Sequence, residues 1–170
     1  MIFTSESGLS DPGRIAAWDE WYLGHLAAMA SVPGIASAQR FRALTEGVPP
    51  SLAMYTVASP DVFASETYLR VRGMGPFVSV VDERLHRRNL FDGLDAAPQI
   101  RPSDFLLVTD RAESGPQIDL LVWLRAVALD RSPAYRAIGV FPDIGAARSA
   151  AERIGGAALY KPITGRFGPS

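Results

Sequence analysis

The chain contains two histidines, at positions 25 and 86, and no cysteine. An imidazole titrates near neutral pH and moves a proton in either direction, so each histidine is a candidate general acid or base. His25 lies in Trp18-Asp19-Glu20-Trp21-Tyr22-Leu23-Gly24-His25-Leu26. Trp18, Trp21, Tyr22, His25 and Met29 recur at spacings of three and four, which places them on one helix face. That face is the strongest candidate site. It offers His25 as base or acid, Tyr22 beside it, and Trp18, Trp21 and Met29 as an apolar wall suited to a planar substrate. The plainer reading of the same residues is core packing, with His25 bonded to a backbone carbonyl.

Further candidates follow along the chain. Arg40 and Arg42 alternate within a strand-like stretch, and Tyr55 falls on the segment expected to pair with it. Arginine can hold a carboxylate or a developing oxyanion, and tyrosine can donate a proton. Arg84, His86 and Arg88 alternate in the same way, as an anion site or as an exposed strand face.

Other chemistry drops out. Without cysteine there are no disulfides, thiolate nucleophiles, iron–sulfur ligands or cysteine-based zinc sites. Two histidines cannot build a three-histidine zinc site, and the acidic residues lack the clustered spacing of a calcium loop. No metal is expected. A haem needs one axial histidine, so His25 or His86 keeps that alternative open; otherwise no cofactor is expected. Gly73-Met74-Gly75-Pro76 lacks the third glycine and following helix of a dinucleotide loop, and no Walker, Gly-x-Ser-x-Gly or His-Glu-x-x-His sequence occurs.

The 17 basic and 18 acidic side chains leave a formal charge of −1, which argues against a nucleic-acid partner. The longest apolar stretch, Leu120 to Leu129, is interrupted by Arg125 and is far shorter than the ~20 residues of a membrane span. The N-terminus lacks the basic start and apolar core of a signal peptide. A cytoplasmic protein without membrane partners is expected.

The elements that must position these residues repeat. Ile2–Glu6 reads as a strand, Arg14–Ser31 as a helix stopped by Val32-Pro33-Gly34, then Ile35–Ala43 and Leu52–Ala58 as paired strands. Ser59-Pro60-Asp61 opens a second helix to about Arg72, and Arg84–Phe91 is a strand. A Gly- and Pro-bearing linker, Asp92–Pro102, separates this from a shorter copy. In that copy Phe105–Thr109 is a strand and Pro116–Arg125 a short helix. Ala126–Leu129 and Tyr135–Phe141 are strands, Pro142–Ile154 a helix, and Ala157–Lys161 a last strand. Two β-α-β-β-α-β units with a period of roughly 100 residues give an α+β class. Each is a ferredoxin-like unit, over residues 1–97 and 98–170, repeated in tandem to form an α+β barrel. Sheet-to-sheet packing of the halves buries the bare sheet faces; a homodimer is the competing solution.

Over residues 1 to 92 the chain resembles the EthD-like branch of the dimeric α+β barrel superfamily. The resemblance rests on Trp21-Tyr22 three residues before His25, on Val32-Pro33-Gly34-Ile35 and on Ala38-Gln39-Arg40-Phe41-Arg42. Leu52-Ala53-Met54-Tyr55 and Ser65-Glu66-Thr67-Tyr68-Leu69-Arg70 also fit. Leu23 and Gly24 stand where that family has acidic residues before the histidine, and Ala27 and Ala28 follow in place of a proline. The resemblance implies a hydrophobic small-molecule substrate, carbonyl-bearing or aromatic. It also implies metal-independent acid–base chemistry of the lyase, isomerase or cyclase type. His25, Tyr22 and Arg40 would be catalytic, and Trp18, Trp21, Met29 and Tyr55 substrate-binding. A cofactor-free monooxygenase, a haem-dependent enzyme and a non-catalytic scaffold are the alternatives.

Overall fold

The computed structural model describes residues 1–168. Eight strands form the frame: β1 (Ile2–Ser7), β2 (Ile35–Ala43), β3 (Ser51–Val57), β4 (Arg87–Asp92), β5 (Phe105–Arg111), β6 (Leu121–Leu129), β7 (Tyr135–Phe141) and β8 (Ala157–Pro162). They pair antiparallel into a closed barrel in the order β1-β3-β2-β8-β5-β7-β6-β4. The first four strands run β4-β1-β3-β2 and the last four β6-β7-β5-β8, the same ferredoxin-like order twice. Closure is reciprocal: β2 pairs with β8, and β4 with β6. The second strand of each unit meets the fourth of the other, so no sheet edge is left open. This is the α+β barrel expected from the repeated strand order.

Strands covered on both faces are buried at nearly every position, as β1 and β3 are. Alternation then decides which core each side chain enters. Ile2 points into the barrel with Phe41, Leu52, Met54, Phe91, Leu106 and Ile138. Phe3 points outward, beneath helix α1 (Ile15–Ala30), which buries Trp18, Tyr22, Leu26 and Met29 against the sheet. On the other half, α3 (Ile144–Ile154) covers the sheet with Ala147, Ala150 and Ile154.

Three segments depart from the sequence expectation. Residues expected as a helix over Pro116–Arg125 form no helix, and Leu121–Leu129 is the long strand β6. Barrel closure explains this, because among the described residues β6 alone satisfies the facing backbone edges of β4 and β7. The second unit therefore has one covering helix where the first has two. The expected helix to Arg72 divides at Ser65, whose backbone is extended. A 3-10 segment, Pro60–Ala64, precedes it; then α2 (Glu66–Val71) starts afresh, with Ser65 Oγ accepting from the Tyr68 N–H at 3.2 Å. Finally, Glu83–Leu85 is a 3-10 turn and β4 begins at Arg87. Arg84 thus leaves the strand and pairs with Asp82 at 2.6 Å.

The barrel interior also holds a charge network. Arg136 is 0% exposed and donates to Glu6 at 2.9 Å, to both oxygens of Asp110 at 2.7 Å and to Thr4 at 3.1 Å. Its guanidinium lies 5.1 Å from the Phe91 ring centroid. A cation this deep is tolerable only when paired and fully hydrogen-bonded.

Candidate active site

The candidate site lies outside the barrel, between the outer sheet face and the helices of the first half. Helix α1 contributes Tyr22, His25 and Met29, one and two turns apart. Strand β1 contributes Phe3 and Ser5. In register with them stand Tyr55 on β3, opposite Phe3, and Arg88 on β4, opposite Ser5. Directly opposed residues on adjacent strands share a face, so both point at α1. Tyr68 and Arg72 from the end of α2, Gly73, Met74 and His86 complete a chamber of about 50 Å³. Gly73, Met74 and His86 also line an adjoining groove of about 360 Å³, with Val78, Val81 and Glu83. The small chamber therefore continues into a larger, more apolar groove.

The stretch between Gly73 and Asp82 forms the roof. Gly75 sits at φ +49°, and a β-carbon there would lie 2.8 Å from the Trp21 ring. Only glycine lets the chain rest so closely on the indole. The far end is tied to the loop after β1: Ser10 N–H donates to Val80 O at 2.9 Å, and Asp82 N–H to Gly8 O at 2.8 Å.

His25 is held by aromatic rings. Trp21 stacks on it with centroids 4.8 Å apart, and Tyr22 meets it edge-on at 5.3 Å. Burial disfavours the charged ring and lowers its pKa to about 4. The imidazole is thus neutral at neutral pH and free to accept a proton.

Tyr22 and Tyr55 line the chamber together with Ser5. Burial raises both pKa values, and Tyr55 is raised further because Tyr22 stands beside it. Both therefore carry their protons and can donate to an oxyanion. Burial raises the Tyr68 pKa, while the charges of Arg88 and Arg72 pull it back. His86 has its pKa shifted down by burial and by the charge of Arg88. Its Nδ1 is shut off from solvent and has no partner.

The residues singled out from sequence divide in space. Tyr22, His25, Met29 and Tyr55 come together on the chamber wall. Trp21 stands behind His25. Trp18 and Arg40 sit on the far side of Tyr22, off the wall. Arg40 is 1% exposed, its guanidinium 4.1 Å from the Tyr22 ring centroid and 4.4 Å from that of Trp18. It donates to Asp19 at 2.7 Å and to Ser51 Oγ at 2.9 Å. From there its charge acts on the chamber by lowering the pKa of Tyr22 and of Tyr55. Of the alternating set on the third candidate stretch, His86 and Arg88 reach the chamber and Arg84 does not. Sequence reasoning did not single out Ser5 or Arg72. Ser5 shares the outer face of β1 with Phe3 and Ser7, which gave no cue to single it out; the exposed end of a short helix offered none for Arg72.

Among the described residues, no group of three His, Asp or Glu side chains could hold a metal ion, and no helix is long and apolar enough to cross a membrane.

No family model matches this chain, and no curated protein does either. Solved structures do match it in fold. A candidate chlorite dismutase superposes with a TM-score of 0.60 at 12% identity, over 96% of this chain and 95% of that one. A candidate monooxygenase from Lactobacillus acidophilus superposes with a TM-score of 0.51 at 7% identity, over 95% of this chain and 92% of that one. The shared architecture is that of the dimeric α+β barrel proteins. At these identities the likeness is one of fold, which many chemistries share.

Proposed function

We propose that the chamber is the active site of a small-molecule enzyme that removes a proton from a carbon or oxygen acid, in the manner of the EthD-like α+β barrel proteins. One observation carries the reading: a neutral imidazole and a pair of protonated tyrosine hydroxyls line the same chamber. His25 accepts the proton from the acidic C–H of a carbonyl compound. The electron pair moves onto the carbonyl oxygen, and the Tyr22–Tyr55 pair hydrogen-bonds the resulting oxyanion. An imidazole this desolvated is a weak base while alone, and the anion forming beside it stabilises the imidazolium. Returning the proton to another carbon gives an isomerase, expelling a leaving group a lyase, and closing a carbon–carbon bond a cyclase.

The second reading, cofactor-free oxygenation, shares this first step and differs in the anion reacting with dioxygen. The fold shared with a candidate monooxygenase favours it weakly. With His25 as axial ligand haem fits poorly, because the chamber touching it holds about 50 Å³; the adjoining groove of about 360 Å³ is lined by His86 instead.

The test is hydrogen–deuterium exchange of acetophenone and phenylacetone in D2O, followed by NMR with an oxygen electrode alongside. Enzyme-accelerated exchange that falls to background in His25→Ala is expected. Equal rates with wild type and His25→Ala would overturn the reading, and oxygen uptake would select the second one.

A further inference from the structure

The lining of the chamber is unbalanced in charge. It includes Arg72 and Arg88 and two histidines, but no aspartate or glutamate. Among the described residues neither arginine side chain has a carboxylate ion pair, although Arg40, Arg42, Arg84, Arg101 and Arg136 all do. The nearest acidic group on the β4 side, Asp130, accepts from the Arg88 backbone N–H at 2.6 Å. Glu83 lies on the adjoining groove, outside the chamber. Arg88 and Tyr68 line the chamber together, and the Arg88 charge lowers the Tyr68 pKa. Two guanidinium groups beside a concave, low-dielectric wall produce a positive potential that concentrates anions. The groove beyond is apolar along Met74, Val78 and Val81, with Val78 72% exposed.

We infer that the substrate is a small carboxylate-bearing molecule: its carboxylate sits between Arg72 and Arg88, and its apolar body lies along Met74, Val78 and Val81. The inference rests on the reading of the chamber as an active site and narrows its substrate to an acid. A guanidinium binds a carboxylate through two parallel charge-assisted hydrogen bonds, whereas a neutral amide of the same shape loses the charge and one acceptor. With the carboxylate held in the chamber by the arginines, the carbon next to it is the part of the molecule that faces His25 and the tyrosine pair.

The test is direct binding, independent of turnover. Benzoate and phenylacetate are titrated against benzamide and phenylacetamide, reading the ring signals of the chain's two histidines by NMR. The acids should bind at least about tenfold more tightly than their amides, and added salt should weaken the acids alone. Arg88→Gln should bring each acid to the level of its amide, Arg88→Lys should keep part of the preference, and Arg84→Gln should change nothing. Equal affinities for acid and amide, no response to any of the four probes, or a preference that survives the Arg72→Gln, Arg88→Gln double variant would each overturn the inference. If Arg88→Gln fails to fold, Arg72→Gln and the salt dependence decide. Acid preference without catalysed exchange of the ketones would refute the catalytic reading alone. Catalysed exchange without acid preference would refute this inference alone.

Discussion

Trp21 and His25 stack with their ring planes 15° apart and their centroids 4.8 Å apart. One helical turn separates them, so α1 itself supplies the indole that excludes water from the imidazole. This pair sets the protonation state on which the proposed chemistry depends.

His25 should titrate near 4 in the folded protein and near 6.5 when unfolded. Between those values the unfolded chain binds more protons. The stability contributed by the neutral ring is therefore complete above pH 6.5 and is lost progressively as pH falls towards 4. The slope from this one group approaches ~1.4 kcal/mol per pH unit. Urea titrations of wild type and His25→Gln across this range check it; parallel pH profiles would be the contrary result. Trp21→Ala should raise the His25 pKa by admitting water, read by NMR.

Tyr55→Phe and Tyr22→Phe should each reduce catalysed exchange by roughly 10²-fold, the cost of one oxyanion donor. Ketone binding should change much less. A matching loss in binding would assign the tyrosines to packing.

Gly75→Ala places a methyl group against the Trp21 ring in a left-handed backbone conformation. We expect a loss of ~1–2 kcal/mol from the backbone conformation and crowding combined. The His25 pKa should rise as the roof lifts. Unchanged thermal stability together with an unchanged His25 titration would show that the roof is not seated on Trp21.

Arg136→Ala should cost ~3–5 kcal/mol, because it strands Glu6 inside the barrel without its cation. Adding Glu6→Gln to that variant should recover part of the loss. Chemical denaturation of the two variants measures both, and additive losses would indicate that the pair is not coupled.

The amino-acid order alone specified a good deal. The three- and four-residue spacing from Trp18 to Met29 was enough to place Tyr22, His25 and Met29 on the wall of one chamber. The strand order, repeated in the two halves, was enough to indicate an α+β barrel, although the first helix of the second half did not form. Both are local or sequential features, carried by backbone periodicity. Tertiary structure decided the rest. Strand register set Ser5 opposite Arg88 and brought His86, from a distant segment, into the chamber that His25 lines. Closure of the barrel made β6 a strand where its composition also suited a helix, since only a strand pairs both facing edges. Arg40 and Arg136 look alike as isolated arginines in strands. One packs behind Tyr22 and the other lies inside the barrel, because side-chain environment depends on which surfaces close over a strand, and no single strand carries that information.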